Sequence, residues 1–254
     1  SGDIDVDGTT NLDIVDVDVS LTVDGTVKLN GNFPTGTDNI ALGNAALSGG
    51  SLSGAGNIAI GDSVLQNMTS GSNAVAIGRD AMNTGIYTGS DAIAIGRATL
   101  QDLTTGSNNV AIGGLALTSN TTGPSNTAVG YVALTANTTG TQNVAVGAYA
   151  LDANISSNNS TAIGYSALSL NTGASNTAVG ASAMVDNTSG VNNTAIGVNS
   201  LTNNTTASFN IALGGSSLAA NTTGASNTAV GYTALTANTT ASNSTAVGYQ
   251  ALTA

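Results

Sequence analysis

Asn227-Thr228-Ala229-Val230-Gly231-Tyr232 (NTAVGY) repeats residues 126–131 letter for letter. NVAVGA (143–148), NTAVGA (176–181), NTAIGV (193–198) and NIALGG (210–215) are near-copies. With the glycine of A-[VIL]-G as position zero, the phrase recurs at 43, 61, 78, 96, 113, 130, 147, 164, 180, 197, 214, 231 and 248, which is 13 copies in 254 residues. Successive glycines stand 17 or 18 residues apart, except for one interval of 16 between Gly164 and Gly180. A period this short and regular predicts a solenoid, because each unit is too small to bury a face without its neighbours.

Each place in the unit has its own chemistry. Position −2 is Ala in every copy, −1 is Val, Ile or Leu, and −3 is Ile, Val or Thr. Position +3 is small in most copies and +4 is always Leu or Met. From the fifth copy to the twelfth, +7 is Asn (Asn120 through Asn238). The alternation from −3 to −1 predicts a short strand. Glycine then bends the chain, and the Asn-Thr-Thr-Gly runs read as turns. The expected architecture is all-β: a parallel β-solenoid of about 13 coils with a repeat of about 17 residues. At about 4.8 Å per coil it is a rod roughly 60 Å long.

In this reading the −3 and −1 side chains fill the coil interior and the strict Ala points away from it. An invariant small residue on the far face predicts a second packed surface. Ala128, Ala145, Ala162, Ala178, Ala195, Ala212 and Ala229 then line a seam between subunits of a homotrimer. An intrachain turn packed over that face is the alternative.

Composition narrows the function. Hydrophobic residues make up 41% of the chain and aromatics only 3%, so the core is built from Ala, Val, Leu and Ile and is thin. Charged residues are 7%, against about a quarter in ordinary globular domains. With no Cys and no His, thiol and imidazole catalysis, Cys/His zinc sites and disulfides are excluded. All 14 acids are Asp, against Lys28, Arg79 and Arg97, for a net charge of −11. That sign disfavours nucleic acid and anionic bilayers as partners, and no run is long enough for membrane insertion as a helix. The first residue is Ser and the last fall within a repeat, which reads as a piece of a longer chain.

The phrase N-[VIT]-A-[VIL]-G followed by small residues resembles the head repeat of trimeric autotransporter adhesins, a left-handed parallel β-roll packed as a trimer. The longer unit SNTAVGYVALTANTTG (125–140) is similar to repeats in fibre proteins of tailed bacteriophages. The likeness covers about residues 36–254. It departs from the adhesin pattern in its longer period and its Asn-Thr-Thr turn. The resemblance implies a structural, host-attachment segment of a tail or head fibre on the virion. Its expected partners are itself, other fibre or virion proteins, and a host surface glycan or protein. The alternative is an adhesin head on a bacterial cell surface.

Residues 1–35 differ: Asp alternates with Ile or Val in DIDVDGTTNLDIVDVDV, as in a strand with one acidic face. This segment resembles the connecting segments of phage fibres, and Pro34 and Gly36 mark its boundary with the repeats. Asp3, Asp5 and Asp7 match the opening of an EF-hand loop, but Ile14 stands where that loop needs its bidentate Glu. A solvated acidic strand face is the plainer reading, and no cofactor is expected.

Three further sets stand out. Asp62, Arg79 and Arg97 share position +1 in successive coils, which predicts a stacked ion-pair ladder or a contact for an anion. Tyr131, Tyr165, Tyr232 and Tyr249 share the same position further along, with Tyr149 one place over. They read either as a cover for the rod's edge or as a stripe on which sugar rings stack. The aspartates of the repeat region are scattered over different positions, so the carboxylate pair of a glycosidase is not expected and the chain reads as a non-enzyme. An ice-binding solenoid is the remaining class. It needs a flat rank of outward Thr, whereas Thr recurs at −3 (Thr127, Thr161, Thr177, Thr194, Thr228, Thr245), taken here to face inward.

Overall fold

The computed structural model describes residues 38–49 and 52–253. All belong to the second of two units into which the chain divides, Ser1–Asn30 and Gly31–Ala254. The expected connecting segment at 1–35, with Asp3, Asp5 and Asp7, lies outside the described residues.

Every A-[VIL]-G phrase forms a strand of three residues, from β1 (Ile40–Leu42) to β13 (Thr245–Val247). The 13 strands make a single sheet in chain order. All pairs are parallel and in one register, with each −2 Ala opposite the next, as in Ala178↔Ala195. The chain is therefore a parallel β-solenoid, one strand per coil, with no helix among the described residues.

The rest of the coil is turns. The +3 amide donates to the glycine carbonyl, as Ala133 does to Gly130 at 3.4 Å, and the +7 amide to the +4 carbonyl, as Asn120 does to Leu117 at 3.1 Å. Outside the strands the coils are also linked by backbone hydrogen bonds. The Val132 amide donates to Gly114, the Leu134 amide to Ala150 and the Ala136 amide to Asp152, at 3.0, 2.9 and 3.2 Å. The ladder thus runs around the coil, which meets the requirement that buried backbone groups be paired.

The inside and outside of the strand are the reverse of the expectation. The −2 alanines are buried in a single chain: Ala128, Ala145, Ala162, Ala178, Ala195, Ala212 and Ala229 are all 0% exposed. With Leu or Met at +4 they form one continuous core cluster. The −3 and −1 side chains point out and are half-buried or exposed, with Ile163 at 40% and Ile196 at 43%. Hydropathy would place Ile inside before Ala; volume decides otherwise. The coil is so thin that the +4 Leu fills it, and only a methyl fits on the facing strand. The alanines therefore cannot line a subunit seam.

The +4 residue carries strain. Leu134 sits at φ 53° and Leu168 at φ 52°, in the left-handed region. That conformation costs an L-residue about 1–2 kcal/mol, and full burial of a Leu offsets it with about 1.5–3 kcal/mol. Glycine there would relieve the backbone and empty the core.

Two columns of buried Asn complete the interior. At −4, the Asn126 Oδ1 accepts the Asn143 amide at 3.0 Å while its Nδ2 donates to the Gly140 carbonyl at 2.8 Å. Asn109, Asn193, Asn210 and Asn227 repeat both contacts. At +7, six of the eight Asn donate from Nδ2 to the Oδ1 of the coil before, as Asn137 does to Asn120 at 2.9 Å and Asn204 to Asn187 at 2.7 Å. Coils one to four use an apolar corner instead, made of Leu52, Met68, Tyr87 and Leu103. The two coils flanking the fully buried Tyr87 ring carry Ala74 and Ala92 where most others have the −4 Asn.

The +7 column breaks once, at the 16-residue interval. The turn there is Asn171-Thr172-Gly173, one residue short, and the Asn171 Nδ2 donates to the Gly173 carbonyl rather than back to Asn154. The Asn154 Oδ1 is left buried without a partner. Inserting one Thr between Thr172 and Gly173 restores the common turn. It should raise unfolding stability by about 1 kcal/mol, the lower end of the cost of an orphaned buried acceptor, measured by denaturant titration.

Candidate functional site

The recognition candidates share one corner. Immediately after the glycine bend, position +1 presents Asn44, Asp62, Arg79, Arg97, Gly114, Tyr131, Ala148, Tyr165, Ala181, Val198, Gly215, Tyr232 and Tyr249 in successive coils. Backbone hydrogen bonds from +2 to the +1 carbonyl of the coil before hold these residues in a column, as in Asp80 to Asp62 at 3.1 Å and Ala98 to Arg79 at 2.9 Å.

Asp62, Arg79 and Arg97 stack in that column but do not form the expected ion-pair ladder. The Asp62 Oδ1 accepts from Asn44 Nδ2 at 3.1 Å. Arg79 pairs with its neighbour Asp80 at 3.7 Å, and 60% of its side chain is exposed. Arg97 is exposed and makes no ion pair among the described residues. An ammonium or guanidinium reaching one coil further must compete with water at this surface, where such pairs contribute little.

The tyrosines form two clusters. Tyr131, Tyr149 and Tyr165 meet edge to face, with ring centroids 5.7 and 6.0 Å apart. Tyr149 joins from position +2, so the rings zigzag up three coils. Tyr232 and Tyr249 are stacked, with centroids 5.8 Å apart and planes 14° apart. The first ring of each cluster lies beside a glycine of the preceding coil. A Cβ on Gly114 would lie 3.6 Å from the Tyr131 ring, and one on Gly215 would lie 3.3 Å from the Tyr232 ring. The rings thus lean back over the preceding coil while keeping much of their surface in solvent, with Tyr131 at 49% exposure and Tyr165 at 59%.

A groove of about 330 Å³ at the last coil is lined by Leu235, Ala237, Asn238, Thr239, Thr240, Ala241 and Leu252, without an ionisable side chain. No group of three potential metal ligands occurs among the described residues. Among the described residues, Asp152 is the one carboxyl pushed above its ordinary range. Burial disfavours its charge, and a backbone hydrogen bond only partly compensates. It stands apart from the Tyr column, at +5.

The second surface is the outward face of the sheet, which sequence reasoning had turned inward. The −3 and −1 residues form two parallel rows of Ile, Val, Leu and Thr from Ile40 to Val247. The face is roughly 58 Å long and about 10 Å wide, from the ordinary strand spacing and rise. No helix among the described residues is long and apolar enough to cross a membrane.

No protein-family model matches the chain, and neither a curated protein nor a solved structure is significantly similar to it.

Proposed function

We propose that the chain is a structural, attachment-bearing segment of a fibre, assembled as a homotrimer through the outward face of its sheet. A tail or head fibre on a virion is the setting that the repeat resemblance favours. A bacterial adhesin head is the alternative built on the same physics. One observation carries the reading: an outward face as long as the rod, with Val, Ile or Leu at −1 in every strand beside Ile, Val or Thr at −3, on a chain with a uniform ladder of 13 strands. A face of roughly 600 Å² by its strand dimensions is at the upper end of exposed apolar patches on monomers. With flanking side chains it approaches the ~800 Å² that each partner gives to a stable interface.

Static light scattering tests this. The folded protein should have about three times the 24.5 kDa chain mass. Val179→Glu with Ile196→Glu, which charges the outward face of adjacent strands, should reduce the mass to one chain and leave the circular dichroism unchanged. A monomeric wild type overturns the assembly.

A second reading gains support from the reversed facing. Thr161, Thr177 and Thr194 stand outward in three successive strands, as an ice-binding face requires, although each is followed at −1 by Val or Ile rather than Thr. Thermal hysteresis at millimolar concentration distinguishes it; none is expected if this face is buried in a trimer.

A further inference from the structure

We propose that the +1 corner between coils three and eight binds a linear acidic oligosaccharide of the uronic acid type, with carboxylates at Arg79 and Arg97 and sugar rings on Tyr131 and Tyr165. The proposal rests on the attachment reading and names its ligand class.

Arg79 and Arg97 are the only cations among the described residues of a chain whose net charge is −11. Both fall on the same column, one coil apart, and both are exposed. Arg97 has no acidic partner among the described residues, and Arg79 has a single one, the half-buried Asp80, at 3.7 Å. Two exposed guanidinium groups at adjacent coils contribute little to the fold. They do offer planar forks suited to carboxylates.

The next coil carries Gly114, so no side chain rises there, and the Tyr131 ring leans back across the gap towards the arginines. Tyr149 and Tyr165 continue the aromatic surface upward. Cations at one end, a side-chain-free step, then three tyrosine rings make a track along the rod axis. Each ring has an apolar face for the C–H face of a sugar and a hydroxyl for its polar rim. The coils advance by ~4.8 Å, close to the advance per ring of an extended saccharide, so successive sugars meet successive coils. Tyr232 and Tyr249 form the other aromatic cluster with no cation in the neighbouring coils, and serve as an internal control.

The chain has no Trp, so tyrosine fluorescence reports binding directly. The test is titration with hexaguluronate and, in parallel, with neutral maltohexaose, by calorimetry and fluorescence on the assembled protein. Hexaguluronate should bind, and more weakly as salt is raised. Arg97→Gln and Tyr165→Ser should each weaken it about tenfold, the effect of losing one charge-assisted contact or one stacking ring. Tyr249→Ser should leave it unchanged, and maltohexaose should bind at least about tenfold more weakly. No hexaguluronate binding at millimolar concentration overturns the proposal. So does equal affinity for the two sugars, or binding indifferent to Arg97→Gln and Tyr165→Ser. Mass measured on the same samples separates the two readings: a trimer that ignores the sugar fails only this inference, and a monomer fails the assembly.

Discussion

Gly180→Ala should abolish the cooperative fold around the ninth coil. Gly180 sits at φ 137°, a region closed to residues with a Cβ. An added Cβ would lie 2.5 Å from the Gly197 carbonyl oxygen and 2.6 Å from its carbon, both backbone atoms that cannot turn aside. Gly197 in turn stacks on Gly214 in the same way, so relief at one coil moves the clash to the next. The expected cost exceeds about 4 kcal/mol, the range reserved for backbone-level disruption. Because each coil contacts only its neighbours, the damage should be local at first. Limited proteolysis should cut near residues 164–197 and release a resistant fragment from each side, while circular dichroism shows a lower and broader melting transition. A variant that melts like the wild type would show that the stacked glycines are not what sets the coil spacing.

Much of this architecture could be read from the chain. Thirteen glycines at a near-constant interval gave the coil number, and the three-residue alternation gave the strands. Which way those strands face could not be read from hydropathy, because Ile163 and Ala162 are both apolar and the interior is decided by volume. The signal was present in a different form: Leu or Met at +4 is as invariant as Ala at −2, and two large residues cannot share so thin a coil. The double contact of the −4 Asn, to an amide one coil on and a carbonyl 14 residues on, needs the wound chain to be seen. The broken Asn column at Asn154 was foreshadowed by the single short interval. The +1 corner was legible as a column, but its geometry was not. Arg79 turns to Asp80 beside it, and Tyr149 joins the rings from a position the pattern had set aside.

The facing of the strand makes two adjacent substitutions behave in opposite ways. Ala178→Glu puts a carboxylate where the side chain is wholly enclosed by its own coil, packed against the core cluster that includes Met184. The only cations among the described residues are Arg79 and Arg97, in coils far down the rod, so the charge would be unpaired. An unpaired buried charge costs several kcal/mol even after its pKa rises to neutralise it. The glutamate is also four heavy atoms too large for the space. Ala178→Glu should therefore unfold the coil, and the defect should ease at acid pH, where the protonated side chain no longer has to hold a charge in the core. Val179→Glu, one residue on, points outward and should keep the wild-type circular dichroism and melting profile of a single chain while lowering the assembled mass. Ala178→Glu with an intact fold and a reduced mass would mean that the alanines face a partner after all. Intact fold and mass in the Val179→Glu, Ile196→Glu protein would mean that the long apolar face of the rod is left bare.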